Sequence, residues 1–305
     1  FHLLTHAFFK ALLFLGAGSV IHAMSDEQDM RSMGGIWRKI PVTYTMMWIG
    51  TLALIGFPGF AGYFSKDAII EAAWASQNSF HSYAFIMGIA AAVLTAFYSG
   101  RLIWMTFHGD CRADDHVQAH IHESPPVMTI PLAVLACGAV TAGFFGLGMI
   151  GADGEFWAGS IVYGEHNHTM HAMHDVPFMV KVLPFLAMAS GLALSYWFYM
   201  VNPGIPAQLV NRFQRLHAFL FNKWYFDELY DRLFVRNAKA LGSFLWKAGD
   251  AGIIDRYGPD GIAASTLYTA RKAVRLQTGY VYHYAFAMLI GVAAFVSYYI
   301  FLGQG

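Results

Sequence analysis

The sequence IGFPGFAGYFSKD, residues 55–67, interrupts a hydrophobic segment that is long enough to cross a lipid bilayer. Pro58 lacks a main-chain N–H group and its ring clashes with the preceding turn, so we expect a helix to kink or stop here. Inside a membrane, main-chain groups released by a break must be satisfied by protein or by water in a cavity. Lys66 and Asp67 follow the break directly. A discontinuous helix beside an ionisable residue is typical of an ion or proton site.

The composition places this segment in a membrane protein. Of the 305 residues, 57% are hydrophobic and 12% are charged, and the mean hydropathy is +0.44. Soluble domains contain about 25% charged residues. The formal net charge is zero, which argues against nucleic acid as a partner. The two cysteines, Cys111 and Cys137, cannot form a metal cluster or a disulfide framework by themselves, so if the protein takes part in redox chemistry, the redox centres are expected elsewhere.

The apolar segments predict an all-α polytopic membrane protein with about six spans, one of them discontinuous. The segment 41–75 is too long for one straight crossing and is interpreted as two half-helices joined at Pro58. Phe1 already lies in an apolar run, so we expect the chain to be part of a longer protein. The predicted spans are 2–23, 41–75, 82–107, 126–150, 177–201 and 280–302.

The segment between the last two spans has a different character. Its apolar residues recur at three- and four-residue steps, and charged residues fill the opposite face, which predicts an amphipathic helix along a membrane surface or along neighbouring subunits. Gly258 and Pro259 are expected to break this helix, with a second piece over 262–276. The predicted domains are therefore a bundle at 1–201, a lateral helix at 202–279 and an anchor at 280–305. The apolar positions are Phe226, Leu229, Tyr230, Leu233, Leu241, Phe244, Leu245 and Ala248.

The distribution of basic residues predicts the orientation of the spans. If the spans alternate, the connectors 25–40, 109–124 and 203–279 lie on one side of the membrane, and they carry fifteen of the nineteen Lys and Arg residues. The opposite loops, 76–81 and 151–176, carry none. By the positive-inside rule the first side is cytoplasmic or matrix, and the lateral helix is expected there.

Three titratable residues share one face of the first span. His2, His6 and Lys10 are spaced i, i+4, i+8, so they drift only about 80° around a helix and cover about 12 Å of its length. A polar stripe in a hydrophobic helix is costly unless it meets water, partners or a proton path, and histidine titrates near neutrality. The alternative is a stripe at a helix end that is satisfied by neighbours or by interfacial water.

Two other cations also have more than one interpretation. Lys66 is either a buried amine beside the helix break or a residue that reaches interfacial water, and Ser65 is a candidate N-cap of the second half-helix. Arg101 either extends to the cytoplasmic interface near Trp104 or pairs with a buried carboxylate.

Two histidine-rich loops contain residues that could in principle bind a metal ion. Imidazole-rich tracts without fixed hydrogen-bond partners are weak indicators of a site, so solvated loops are the favoured interpretation, and no metal or cofactor site is predicted. The tracts contain His116, His120 and His122, and His166, His168, His171 and His174.

Four segments resemble one known family. HLLTHAFFKALLFLGAGSVIHA, MGGIWRKIP, GFPGFAGYFSKDAIIEAAW and FDELYDRLFV are similar to the C-terminal half of the antiporter-like L subunits of respiratory complex I, called subunit 5 in mitochondria. These are the distal antiporter-like subunits of the proton-pumping NADH:quinone oxidoreductases. The resemblance covers essentially the whole chain, and its first and third segments are the most specific.

The resemblance implies roles for residues that the pattern singled out. Lys66 matches the lysine of the family's discontinuous helix, in a half-channel that opens to the positive side. His2, His6 and Lys10 match the central polar axis, and the segment 212–276 matches the lateral helix along the other antiporter-like subunits. The family's other discontinuous helix is expected upstream of Phe1.

The resemblance also implies a function, a location and partners. We expect a non-redox subunit that translocates protons in the bacterial plasma membrane or the mitochondrial inner membrane. NADH, FMN, iron–sulfur clusters and quinone are expected in other subunits, and the partners are those subunits and the lipid bilayer. The alternatives are a large subunit of a multisubunit cation/proton antiporter and a membrane scaffold without transport.

Overall fold

The computed structural model describes residues 1–150, 155–164 and 167–301, and all regular elements in these ranges are helical. The chain divides into two compact units, Phe1–Arg212 and Phe213–Gly305. The predicted all-α class is confirmed. The α-helices are α1 (His2–Ala23), α2 (Pro41–Ile55), α3 (Ala61–Ala75), α4 (His81–Phe107), α5 (Asp115–His120), α6 (Pro126–Phe145), α7 (Thr169–Ala172), α8 (Phe178–Tyr196), α9 (Ile205–Arg212), α10 (Gln214–Phe221), α11 (Phe226–Tyr230), α12 (Arg236–Phe244), α13 (Pro259–Val274) and α14 (Val281–Phe301).

Five helices of the described chain are long and apolar enough to cross a membrane. They are α1, α4, α6, α14 and α8 with its continuation to Val201, and they match five of the predicted spans. The predicted span 126–150 differs most from its helix, because α6 ends at Phe145 and a 3₁₀ turn, Leu147–Met149, follows it. The remaining predicted span consists of α2 and α3. Each has only 15 residues, about 22 Å of helix, so neither alone crosses about 30 Å of hydrocarbon.

The break between α2 and α3 has a defined main-chain structure. Gly56 adopts a left-handed conformation with φ of 81°, which a residue without a Cβ reaches at little cost. The N–H of Gly56 donates to the carbonyl of Ala53, and the N–H of Phe57 donates to the carbonyl of Leu52. This is the hydrogen-bond pattern of a Schellman motif, so α2 ends in an ordinary helix terminus rather than a distorted turn.

Small residues allow α4 and α8 to pack closely in the first unit. A methyl group at Gly191 would lie 2.3 Å from the carbonyl oxygen of Val93, and one at Gly100 would lie 2.0 Å from Oγ of Ser195. Helices in membranes associate through such small-residue contacts because lipid supplies no hydrophobic driving force between them. The indole N–H of Trp104 also donates to Oγ of Ser195, at 3.0 Å.

A buried polar cluster fixes the start of α2. The carboxylate of Glu123 accepts hydrogen bonds from the N–H groups of Val42 (2.7 Å) and Thr43 (3.2 Å) and from the Thr43 hydroxyl. These main-chain groups have no partner within the helix, and a carboxylate also complements the helix dipole. Ser19 of α1 lies 2.7 Å from the hydroxyls of both Thr43 and Ser124. The cluster therefore joins α1, α2 and the segment before α6.

The second unit contains the predicted amphipathic helix. A kink with positive φ at Lys223–Tyr225 precedes α11, and π-helical turns continue the helix through α12 to Asp255. The predicted break occurs at Gly258, where the main chain is non-helical. The second piece, α13, begins at Pro259, which is earlier than the predicted residue 262 because proline suits the first turn of a helix. Residues 302–305 of the predicted anchor lie outside the described ranges.

Candidate functional site

The Lys66 side chain points back into the break in the helix. Its amine donates a 2.8 Å hydrogen bond to the carbonyl oxygen of Ile55, the last residue of α2. The Schellman motif leaves this carbonyl without a main-chain partner, so Lys66 satisfies the group that the break releases. The Lys66 amine would lie 3.5 Å from a methyl group at Gly56, which is an ordinary contact, so glycine is favoured here by its left-handed φ of 81°.

A second titratable side chain lies beside the same glycine. Asp67 is buried, with 9% of its surface exposed, and its Oδ1 would lie 3.8 Å from a methyl group at Gly56. Lys66 and Asp67 are close enough for their charges to interact, but no ion pair within 4 Å joins these two described residues. The break thus brings an amine and a carboxyl group to one buried place.

Ser65 does not cap α3, so that prediction is wrong. The helix begins four residues earlier, at Ala61, because the connection after α2 needs only residues 56–60. Ser65 therefore lies in the second turn of the helix and is almost fully buried. Its Oγ lies 2.9 Å from Nδ1 of His2 and 2.8 Å from Oγ1 of Thr5. The residue next to Lys66 thus connects α3 to the polar stripe of α1.

The structure brings some members of the predicted stripe together and leaves one apart. The rings of His2 and His6 have centroids 5.7 Å apart, and His2 is within electrostatic range of Lys66. Lys10 instead lines a cavity of about 180 Å³ together with Thr51, Tyr98 and Ser99. In the described part of the chain, no hydrogen bond joins Lys10 to Lys66 or to His6. A link from Lys10 to the break needs mobile groups or water.

The cavity at Lys10 has a mostly apolar wall with a few polar side chains. Oγ of Ser99 is buried and has no hydrogen-bond partner among the described residues. A buried hydroxyl without a partner costs about 1–3 kcal/mol, and a water molecule held between this hydroxyl and the Lys10 amine would remove that cost.

Further charged residues continue from Asp67 along α3. Glu71 lies one turn beyond Asp67 and is within electrostatic range of Lys181 and His174. The Lys181 amine donates a 2.8 Å hydrogen bond to the carbonyl oxygen of His174. These groups connect the break to the segment that precedes α8.

The other sequence candidates lie elsewhere. Nδ1 of His120 and Nδ1 of His122 each lie 2.7 Å from a main-chain carbonyl, and His166 lies outside the described residues. Groups of three or more potential metal ligands are absent from the described ranges. Arg101 has no carboxylate partner within 4 Å in the described chain, and its guanidinium lies 5.7 Å from the centre of the Tyr199 ring. The carboxylate pairing considered for Arg101 is therefore not observed.

Comparisons with known proteins cover both the break and the amphipathic segment. Residues 1–95 match a family described as NADH:quinone oxidoreductase/Mrp antiporter, TM, and residues 156–299 match NADH dehydrogenase subunit 5 C-terminus. NADH-quinone oxidoreductase subunit L of Rhodobacter capsulatus is 43% identical over 99% of this chain and 52% of its own length. The chain belongs to the L/chain 5 family of antiporter-like complex I subunits.

Other L/chain 5 relatives come from both bacteria and plants. NADH-ubiquinone oxidoreductase chain 5 of Marchantia polymorpha is 40% identical over 97% of this chain and 45% of its own length. NADH-quinone oxidoreductase subunit L of Rickettsia bellii is 40% identical over 99% of this chain and 47% of its own length. The chain thus spans about half the length of the L/chain 5 relatives that it matches.

The sequence analysis assigned no role to four residues that the structure places at the break or along α3. Thr5, Glu71 and Lys181 were not singled out, and Asp67 was noted only as a neighbour of Lys66. Glu71 could have been found, since a carboxylate four residues after Asp67 lies on the same helix face. The contact between Thr5 and Ser65 could not have been found from the sequence, because it depends on how α1 and α3 pack.

Proposed function

We propose that this chain forms the C-terminal part of a proton path in a proton-translocating NADH:quinone oxidoreductase, with Lys66 as its central proton carrier. The observation that carries the proposal is the hydrogen bond from the Lys66 amine to the Ile55 carbonyl inside the helix break. An ionisable group within a membrane span is expensive to maintain and is usually functional. The break gives Lys66 a fixed acceptor, while Asp67 lies close enough to respond to its charge.

Protons reach Lys66 from the stripe on α1. Lys10, His6 and His2 pass a proton along one helix face, and the hydroxyls of Thr5 and Ser65 lie where that face meets α3. Hydroxyl groups both donate and accept hydrogen bonds, so they can relay a proton without holding a charge. Water in the cavity at Lys10 completes the connection.

Protons leave Lys66 along the charged face of α3. Asp67 follows the lysine directly, Glu71 lies one turn beyond Asp67, and Lys181 and His174 interact with Glu71. The loops beyond this end, 76–81 and 151–176, contain no Lys or Arg, which by the positive-inside rule makes it the positive side of the membrane. The path therefore runs from the cytoplasmic or matrix side to the opposite side.

The chain takes no part in redox chemistry in this proposal. Two cysteines cannot supply the four thiolates that iron–sulfur clusters commonly use. NADH oxidation and quinone reduction take place in other subunits. The family match over 156–299 names NADH dehydrogenase, which favours this function over a separate cation/proton antiporter.

The function is tested by replacing Lys10 with glutamine in the complete complex, reconstituted in vesicles. The number of protons translocated per NADH oxidised is expected to fall, because the variant removes a proton carrier while breaking no described hydrogen bond. Lys39→Gln is the matched control, since Lys39 is an exposed lysine whose amine donates a hydrogen bond to the Gln118 carbonyl. An unchanged ratio in Lys10→Gln would show that the stripe does not supply this path.

The amphipathic segment braces the membrane arm from the cytoplasmic or matrix side. Its large apolar side chains between Phe213 and Leu276 are at least 41% exposed in the described chain, so a membrane surface or neighbouring antiporter-like subunits must cover them. Aromatic residues on this stripe follow one another along the helix, with ring centroids 6.1 Å and 5.7 Å apart for Phe226–Tyr230 and Tyr230–Phe234.

Cutting the chain at Gly258, where the helix is already interrupted, is expected to reduce assembly of the complex and proton translocation. The physical reason is that the brace loses its connection to the anchor α14. Blue native electrophoresis and vesicle acidification measure the two effects. If both are unchanged in the cut protein, the segment does not act as a brace.

A further inference from the structure

A cavity that is lined by three arginines lies where α4 and α8 end. Its volume is about 650 Å³, which is within the range of sites for small organic groups. It is formed by the ends of these two helices, the connector at 29–32 and the connector at 109–112. We call it the arginine cavity, and its main lining residues are Arg31, Arg101, Trp104, Arg112, Tyr199 and Pro203.

Arg101 is the arginine of this cavity that makes no hydrogen bond or ion pair with the described residues, although the Asp29 carboxylate is within electrostatic range. Its Nε is buried and makes no hydrogen bond to the described residues. The face of Tyr199 partly compensates the charge, with 5.7 Å from the guanidinium carbon to the ring centre. The described residues also give the outer guanidinium nitrogens no hydrogen-bond acceptor, and an anion in the cavity would supply one.

The charges around Arg101 leave the cavity positive. Arg31 is paired with Asp29 at 2.5 Å, and its hydrogen bonds lower the pKa of Asp29 to about 2. Arg112 donates to four main-chain carbonyls and to no carboxylate in the described ranges, so its charge is not neutralised. Burial lowers the pKa of His108, which favours its neutral form. The carboxylate of Asp110 lies on an exposed residue.

We propose that the arginine cavity binds the phosphodiester headgroup of an anionic phospholipid, with Arg101 as the hydrogen-bond donor to the phosphate and Arg112 as a second positive charge in the wall. Arginine presents a planar fork of donors that matches phosphate oxygens. The remaining wall is apolar and aromatic, formed by Trp104, Tyr199 and Met200 among others, and it suits the glycerol and the first methylenes of the acyl chains.

The position in the membrane favours a lipid over free phosphate. The cavity lies at the end of two spans, where tryptophan and tyrosine mark the interface. In the orientation proposed above this is the cytoplasmic or matrix side, where basic pockets between spans bind anionic headgroups. The phosphate chemistry is common to both ligands, so the test must separate them.

The test uses the complete complex in vesicles that contain a photoactivatable phosphatidylglycerol or, in parallel, the matching phosphatidylcholine. After illumination, peptides from 97–112 and 196–207 are analysed by mass spectrometry for attached lipid. The proposal expects more labelling by phosphatidylglycerol. It also expects about a fivefold decrease in Arg101→Gln, since one basic residue changes binding to an anionic surface by about that factor.

Two further variants make the result specific. Arg101→Lys keeps the charge and is expected to recover part of the labelling, which a variant that merely misfolds would not do. Arg38→Gln removes an exposed arginine on the same side, outside the cavity, and is expected to label like the wild type. Equal labelling by the two lipids, or no labelling of these peptides, would overturn the proposal. Loss of labelling in 10 mM inorganic phosphate would assign the cavity to free phosphate and overturn the lipid assignment.

Discussion

Lys66→Ala is expected to abolish the proton translocation that passes through this subunit. In the complete complex, the number of protons translocated per NADH oxidised would fall, because the path from α1 to α3 loses the carrier at the break. Lys39→Ala, which removes an exposed lysine, is the control and is expected to pump like the wild type. Vesicle acidification during NADH oxidation measures the ratio. Wild-type pumping by Lys66→Ala would contradict the proposed role.

The alanine variant also has a structural effect that must be separated from the proton role. It removes the donor to the Ile55 carbonyl, and a buried acceptor without a partner costs about 1–3 kcal/mol. The amount of assembled complex therefore has to be measured beside the pumping ratio. The number of protons translocated per NADH oxidised is useful here, because this ratio does not change when only the amount of active enzyme falls.

Gly62→Ala is expected to produce the largest loss of stability. A methyl group at Gly62 would lie 1.7 Å from the main-chain carbonyl oxygen of Ala53, where the first turn of α3 crosses the last turn of α2. Main chain cannot rotate away as a side chain can, so the two half-helices must separate. Overpacking of a core typically costs about 1–3 kcal/mol, and this contact involves main chain on both sides. The expected result is less assembled complex and a lower thermal transition temperature.

Gly88→Ala is the matched control for this variant. A methyl group at Gly88 would meet Cγ1 of Ile70 at 3.5 Å, which is an ordinary contact. Alanine also favours a helix by about 1 kcal/mol relative to glycine, so stability is expected to stay equal or to rise slightly. If Gly62→Ala were as stable as Gly88→Ala, the close crossing of α2 and α3 would be wrong.

The sequence alone predicts the break well because its causes are local. Pro58 cannot continue a helix, and Gly56 permits the left-handed residue that ends α2. The lengths of the apolar segments similarly predict the spans, since hydrocarbon thickness sets a minimum length. The break in the amphipathic segment at Gly258 has a local cause as well.

The contacts of the site could not be predicted because they depend on packing between helices. Ser65 illustrates the difference: serine favours an N-cap, but α3 starts at Ala61 and Ser65 instead bonds His2 and Thr5 of α1. The hydrogen bond from the Lys66 amine to the Ile55 carbonyl requires the Lys66 side chain to point back across the break. A stripe at i, i+4, i+8 likewise predicts a shared face, but it does not predict that Lys10 faces a separate cavity.

The central claim is that Lys66 must give up and regain a proton, and Lys66→Arg tests it most directly. Arginine keeps the positive charge and a donor for the Ile55 carbonyl, but it stays protonated in proteins. The measurement is the number of protons translocated per NADH oxidised by the complete, fully assembled complex in vesicles. The account predicts a ratio as low as that of Lys66→Ala. A ratio equal to that of the wild type would contradict this claim, because a permanently charged residue would then be sufficient for proton translocation.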